Sequence, residues 1–232
     1  RPARPVGPVL AETLGLPVSV ASHVDAMAGA ELLLGTRRPP TGSSLYVYAR
    51  ETVGFALSIG GRVHSPASGP GTIAALPAHS ELLGGTGQLE STVSDEAVLI
   101  AARNARIIPA EGPASTMPAV LRAARQGNQR AQALLAERAR VLGEAVALLR
   151  DMLNPDDLVV GGQAFTEYPQ GMSVVEAAFA KASVMPPRQI RVTAFGNRVQ
   201  EAGAGVVSLG GIYADPIGAM RRAQARRPEA TA

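Results

Sequence analysis

The stretch Leu142–Gly162, LGEAVALLRDMLNPDDLVVGG, decides the fold. Its first half repeats apolar residues at spacings of three and four, which is the pattern of an amphipathic helix. Asn154-Pro155 ends that helix, because proline cannot continue it. Leu158–Val160 then forms a short apolar strand, and a glycine pair follows it. A helix that delivers a strand into a sheet predicts an α/β fold, in which ligands bind at the carboxyl ends of the strands.

Further helices and strands are predicted on both sides of this stretch. Apolar periodicity and turn residues predict helices at Val9–Leu14, Ala26–Leu34, Thr92–Arg103, Ala119–Leu153 (interrupted at Gly127-Asn128), Val174–Ser183 and Glu201–Tyr213. The same signals predict strands at Leu16–Val20, Ser44–Ala49, Val53–Ile59, Leu158–Val160 and Ile190–Ala194, with a hairpin turn at Gly60-Gly61. Alternation of helices and strands again predicts α/β.

Composition limits the possible classes of protein. The chain has 232 residues, 46% of them hydrophobic, which suits one large domain or two small ones. It has no cysteine, which excludes disulfides and any cysteine-ligated zinc. No apolar run reaches the roughly 18 residues of a membrane span, and no signal-peptide pattern opens the chain. The sequence therefore predicts a cytoplasmic protein, and its proline-rich opening, RPARPVGPV, is typical of a continuation from something upstream.

Positive charge is spread thinly except at the C-terminus. The formal net charge is +3. One local cluster contains Arg221, Arg222, Arg226 and Arg227. We interpret residues 216–232 as a solvated, disordered basic tail and not as a phosphate-binding patch.

Four segments together resemble the ROK family of repressors, open-reading-frame proteins and sugar kinases. LGLPVSVASHVDAMAGAE at Leu14–Glu31 is similar to a family strand followed by "ENDANAAALAE", and SLYVYARETVGFALSIGGRV to its glycine-rich hairpin. AALPAHSELLGGTGQLE is similar to "AGEIGH…CGCGxxGCLE", and LNPDDLVVGG to "LNPExIVLGG". Gln126-Gly127-Asn128 is a weaker fifth match. The resemblance covers nearly the whole chain, with the segments in the family's order.

This resemblance implies an actin-like, ribonuclease-H-like sugar-kinase ATPase fold that is only partly contained in the chain. Residues 1–30 would be the end of the first lobe and the hinge, and residues 31–215 the larger α/β effector and oligomerisation domain. The rest of the first lobe and the helix-turn-helix of the family's repressors would lie outside this sequence.

Kinase chemistry is not supported at the matching positions. A sugar kinase needs a carboxylate to accept the proton of the attacking hydroxyl. The resemblance places that Asp at His23, preceded by Ser22 where the family has Asn; Asp25 is the carboxylate if the register shifts by two. Where kinases have a phosphate-cradling glycine run, residues 50–56 read RETVGFA, with one glycine and an acidic Glu51.

The zinc and sugar sites of the family are also altered. His79 matches the zinc-binding histidine, but the cysteine positions hold Glu81, Leu83 and Gln88, so we expect no metal. The sugar-binding glutamate is replaced by Leu76, while His79 and Glu90 remain. Their plainer reading is a loop histidine and a glutamate at a helix N-terminus. Gly161-Gly162 would contact nucleotide in a kinase, and we interpret them here as a turn.

The function predicted from this resemblance is that of a non-catalytic ROK-type transcriptional regulator. This chain would be its effector-sensing and dimerisation part, with operator DNA bound by an upstream helix-turn-helix. A degenerate site of Ser22, His23, Asp25, His79 and Glu90 would bind a sugar or related metabolite, with no cofactor and no catalytic residue. Two alternatives remain: an ATP-dependent sugar kinase with an altered site, or a dimerisation scaffold that binds no ligand.

Overall fold

The computed structural model describes residues 5–35, 42–66, 69–186 and 188–225. The strands are β1 (Ser43–Ala49), β2 (Val53–Ile59), β3 (Arg62–Val63), β4 (Asp157–Gly161) and β5 (Arg191–Val192). The helices are α1 (Val6–Leu14), α2 (His23–Leu34), α3 (Leu89–Val93), α4 (Asp95–Asn104), α5 (Met117–Arg125), α6 (Gln129–Leu153), α7 (Gln163–Thr166), α8 (Gln170–Ala182), α9 (Val199–Ala214) and α10 (Pro216–Ala225).

The strands form one mixed sheet in the order β3-β2-β1-β4-β5. β1 pairs antiparallel with β2 and parallel with β4, and β4 pairs parallel with β5. The carboxyl ends of β1, β4 and β5 therefore share one edge, and the tip of the β1–β2 hairpin, residues 50–52, lies there too. This arrangement confirms the α/β prediction.

Side chains of β1 alternate between two helical layers, as the two-residue period of a strand requires. Leu45 and Val47 pack with α6 and α8 in the largest apolar core. Tyr46 and Tyr48 point to the other face and pack with α2. The sheet is thus covered on both sides, which explains why β1 and β4 are apolar along nearly their whole length.

A second core lies beside the sheet and joins α4, α5 and the first half of α6. The long helix α6 is capped at its N-terminus by Asn128, whose side chain accepts a hydrogen bond from the Ala131 N–H at 3.0 Å. Its C-cap is Asn154, which adopts φ +40° just before Pro155. α6 therefore packs against both the sheet and the helical unit α3–α5, and connects the two.

Several predicted elements differ from the structure. Leu16–Val20 forms no strand; Leu16 is 62% and Val20 68% exposed, so its apolar residues have no sheet to join. The helix predicted at Thr92–Arg103 is two helices that meet at Ser94. Ser94 ends α3, and its hydroxyl caps α4 by accepting from the Ala97 N–H. The last predicted strand shortens to β5.

The C-terminal segment also differs from the disordered tail that we predicted from residue 216. Pro216–Ala225 is a helix, and proline suits its first turn because the missing N–H would have no helical acceptor there. Arg226 and Arg227 lie outside the described residues. None of the helices in the described part of the chain is both long and apolar enough to span a membrane.

Candidate functional site

The N-terminus of α2 lies beside the shared carboxyl edge of the sheet. Ser22 caps the helix by accepting from the Asp25 N–H at 3.5 Å. His23 packs edge-on against Tyr48, with ring centroids 5.4 Å apart and planes at 84°. Burial raises the pKa of Tyr48, and its hydroxyl accepts a hydrogen bond from Gln200 Nε2 at 3.1 Å. His23 is thus held by an aromatic contact, and no carboxylate among the described residues pairs with it.

Asp25 occupies a different surface from His23, although it is only two residues away. Its carboxylate accepts a hydrogen bond from the Ser65 hydroxyl at 2.9 Å. Asp25 lines a cavity of about 420 Å³ between α2, α9 and the β2–β3 turn. His23 lines a neighbouring cavity of about 560 Å³ between α1, α2 and α9, which shares Ala21, Ala26 and Val207 with the first. A two-residue step along a helix turns the side chain by about 200°, so the two groups point to different sides of α2.

The hairpin tip is held by one hydrogen bond of its own and one to α3. The Arg50 N–H donates to the Thr52 carbonyl at 3.0 Å, and the Val53 N–H donates to Glu90 Oε2 at 3.1 Å. Arg50 and Glu51 form a side-chain ion pair at 3.1 Å, with the Glu51 side chain 62% exposed. Binding of phosphate at a loop requires free N–H donors and positive potential. Here the Arg50 and Val53 N–H groups already have acceptors, and the acceptor of the second is a carboxylate of α3.

A buried arginine fastens the hairpin tip to the helical unit. Arg138 of α6 is 2% exposed. Its guanidinium donates to the Val93 carbonyl at 2.7 Å, the Arg50 carbonyl at 3.2 Å and Asp95 Oδ1 at 2.6 Å. Burial raises the pKa of Asp95, and the neighbouring Arg138 opposes that effect. We call this group of four residues the Arg138 clamp. It holds the tip in the closed geometry just described.

The loop that resembles the family's zinc site is held by hydrogen bonds and apolar packing. His79 is exposed, and its carbonyl accepts from Arg140 Nη2 at 3.0 Å. Leu83 is buried in the helical core, and the Ala78 N–H closes the loop by donating to the Gly87 carbonyl at 3.0 Å. The described residues contain no group of three His, Asp or Glu side chains that could hold a metal ion.

Two glycines end β4 at the shared edge. Gly162 adopts φ +92°, and a Cβ there would collide with the Ala49 carbonyl. Packing against β1 is therefore sufficient to exclude a side chain at position 162. Beyond the turn, Gln163 Nε2 and Asn197 Nδ2 both donate to the Glu167 carboxylate, at 3.2 and 2.5 Å. The chain thus turns at Gly162, whereas Gly161 is the last residue of β4.

The five predicted ligand-binding residues fall into separate places. Ser22, His23 and Asp25 lie at the start of α2, while Glu90 lies at the start of α3 with its carboxylate on the hairpin tip. Neither cavity at α2 includes His79 or Glu90. A sugar-binding role for this set therefore stays a prediction.

Sequence reasoning missed Arg138 and Arg62. Arg138 had a detectable signal, because it lies between the apolar pairs Leu134-Leu135 and Val141-Leu142 of the same helix. An arginine there faces the core and must find acceptors. Arg62 gave no such signal, since its proximity to Asp25 depends on how the hairpin packs on α2.

With this geometry established, comparison with known proteins defines the class. The ROK family model matches residues 3–207, and the chain belongs to the ROK family. Two proteins named transcriptional regulator, from Mycobacterium bovis and Mycobacterium tuberculosis, are each 73% identical to it over 230 residues. The match covers 95% of this chain and 52% of each relative, so the chain spans about half the length of these curated relatives.

Solved structures share the fold. A ROK hexokinase from Thermus thermophilus superposes with a TM-score of 0.71 at 25% identity, over 88% of this chain and 71% of the hexokinase. A ROK family transcriptional regulator described as a homologue of the Escherichia coli MLC protein gives 0.69 at 22% identity, over 87% and 54%. A Streptomyces griseus ROK glucokinase, solved with glucose and AMPPNP, gives 0.69 at 20%, over 89% and 72%. The chain thus has the actin-like ATPase fold of ROK sugar kinases, as predicted.

Proposed function

We propose that this chain is the effector-sensing and dimerisation part of a ROK-type transcriptional regulator and has no kinase activity. The names of the two mycobacterial relatives, at 73% identity, support regulation of transcription. Because the chain spans about half of each relative, we assign operator binding to a helix-turn-helix outside it. A protein that acts on the chromosome works in the cytoplasm, which is where we place this one.

The closed hairpin tip is the observation that carries the non-catalytic part of this proposal. Phosphoryl transfer depends on positioning phosphates and on stabilising their charge. Here Glu90 accepts from the Val53 N–H, and the Glu51 carboxylate beside it pairs with Arg50, which leaves this pair without net positive charge. By the resemblance to the family, the position of the catalytic base holds His23, and this residue packs on Tyr48. Both halves of the kinase site are therefore unsuited to the reaction.

Dimerisation follows from the kind of DNA site that such regulators read. Two helix-turn-helix units bind half-sites about one helical turn apart when a dimer holds them at that spacing. An effector that favours one geometry of this domain would change the spacing and so the affinity for the operator. We propose this population shift as the mechanism.

Selection from a random double-stranded DNA library tests the proposal. The product of the complete gene is expected to enrich a sequence with two-fold symmetry, whereas the 232-residue chain alone enriches none. Enrichment of no sequence by the complete product, together with sugar-dependent ADP formation, would overturn the regulator function in favour of the kinase alternative. Absence of both activities would favour the ligand-free scaffold.

A further inference from the structure

The crossing of α2 and α9 creates a groove. Gly203 of α9 lies against the backbone of α2; a Cβ there would be 2.9 Å from the Ala26 carbonyl carbon. One turn further along, a Cβ on Gly29 would be 3.4 Å from Val206 Cγ1. Glycine at such a crossing lets two helices approach closely. The β2–β3 turn packs beside this crossing and completes a groove of about 420 Å³, which we call the α2–α9 groove.

The lining of this groove is apolar with two opposite charges. Its apolar part consists of Ala21, Ala26, Gly29, Leu32, Leu33, Val63, Val206 and Val207. Its polar side chains are Asp25, Arg62 and Ser65. A volume of this size lies within the range of about 300–1,000 Å³ that is usual for small-molecule sites, and a mostly apolar lining with a few polar groups is their usual composition.

Neither charge is neutralised within the described part of the chain. The Asp25 carboxylate accepts from the Ser65 hydroxyl, and no described cation forms an ion pair with it. The Arg62 guanidinium likewise forms no ion pair with a described carboxylate, Asp25 included. Arg62 is exposed and Asp25 is half-buried, so both charges face solvent. A ligand that carries both charges can form a charge-assisted hydrogen bond with each group, whereas a neutral ligand can form neither ion pair.

We infer that the α2–α9 groove binds a small zwitterion with an apolar side chain, of the chemical class of branched or aromatic α-amino acids. The ligand's ammonium group pairs with Asp25, its carboxylate pairs with Arg62, and its side chain packs on Leu32, Val63 and Val206. As an effector site this inference rests on the proposed regulatory function. Because the groove walls belong to α2, α9 and the hairpin, an occupant stabilises one crossing geometry of these elements.

Calorimetric titration of the 232-residue chain with L-leucine and L-phenylalanine tests the inference directly. Two analogues isolate the charges: 3-methylbutylamine keeps the ammonium group of leucine, and 4-methylpentanoate keeps its carboxylate. Each is expected to bind at least about tenfold more weakly than leucine, because each lacks one charge-assisted hydrogen bond. Free hexoses are included as ligands without charge.

Single substitutions test which residue binds each charged group of the ligand. Asp25→Asn is expected to lose the preference for leucine over 4-methylpentanoate, and Arg62→Gln the preference for leucine over 3-methylbutylamine. Arg198→Gln and Glu201→Gln are matched controls, since these exposed residues pair with each other away from the groove. Thermal unfolding of each variant shows that it is folded.

Two results overturn the inference. The first is no saturable heat with either amino acid up to about 10 mM, where a ligand with a Kd of about 1 mM would be mostly bound. The second is amino-acid binding that Asp25→Asn and Arg62→Gln leave unchanged. Saturation by a hexose alone also contradicts it, while leaving an effector-sensing function in place. The DNA selection described above tests that function separately. A failure of the amino-acid site can therefore be distinguished from a failure of the proposed regulatory function.

Discussion

Arg138→Met is the substitution that most sharply tests the energetics of this fold. The change removes the three hydrogen bonds of the Arg138 guanidinium and leaves Asp95, only 8% exposed, without its cation. Breaking a buried ion pair on one side costs about 3–5 kcal/mol. The buried methionine side chain recovers about 1–2 kcal/mol through its apolar area. We therefore expect a net loss of about 3 kcal/mol of unfolding free energy.

Denaturant unfolding and thermal unfolding measure this loss. For a chain of this length, about 3 kcal/mol corresponds to a decrease of about 6–12 °C in Tm. The matched control is Arg198→Met, whose side chain is 85% exposed and whose change is expected to stay within about 0.5 kcal/mol. A loss for Arg138→Met no larger than that of the control would refute the buried-clamp reasoning.

The same variant has a defined pH dependence. Burial raises the pKa of Asp95 in the folded state, and Arg138 opposes this rise. Without the guanidinium the folded-state pKa rises further, so the folded state binds a proton more tightly than the unfolded state does. Stability of the variant therefore decreases as the pH rises through that pKa and recovers in acid. Adding Asp95→Asn should restore part of the stability at neutral pH and flatten this dependence.

Three further substitutions test separate parts of the structure. Gly203→Val forces a side chain against Ala26 and should cost about 1–3 kcal/mol in denaturant unfolding. Asn128→Ala removes the cap of α6 and should lower the unfolding free energy by about 1 kcal/mol. Arg191 lowers the pKa of Asp157, so the stability from this pair is present above the usual carboxyl range and is lost as the pH falls through the folded-state pKa. The stability difference between Asp157→Asn and the natural chain should shrink in acid.

Each of these has a contradicting result. A Gly203→Val protein as stable as the natural chain would mean that α2 and α9 do not cross at backbone contact. An unchanged denaturation midpoint for Asn128→Ala would show that the Asn128 cap does not stabilise α6. If the stability difference between Asp157→Asn and the natural chain stays constant from neutral pH to about pH 2, the ion pair contributes no pH-dependent stability.

Secondary structure could be predicted from the sequence where the hydrophobic pattern extends over many residues. The apolar periodicity of α6 predicts a helix and the proline after Asn154 predicts its end, and the structure confirms both. Leu16–Val20 has a strand-like pattern but no neighbouring strand, and a strand needs a partner for its backbone groups. The break at Ser94 was readable, since Ser94 followed by Asp95 is a helix-start signal.

The candidate site was less predictable because its contacts are distant in sequence. Glu90 is 37 residues from Val53, and Arg138 is 88 residues from Arg50. Hydrophobic periodicity along the sequence gives no information on contacts between residues so far apart in the chain. The resemblance indicated that residues 50–56 cannot cradle phosphate, but it did not reveal that Glu90 closes the tip. The opposite charges of the α2–α9 groove are likewise brought together only by the packing of the hairpin on α2.

Sugar-dependent ADP formation by the product of the complete gene is the measurement that tests the central claim most directly. A coupled assay with ATP, magnesium and a panel of hexoses and amino sugars is run beside a ROK hexokinase as positive control. We expect a rate equal to the background without sugar, because Glu90 occupies the Val53 N–H at the hairpin tip and, by the resemblance to the family, His23 takes the place of the catalytic base. A sugar-dependent rate that is abolished by His23→Ala would contradict it and show that this protein is a kinase.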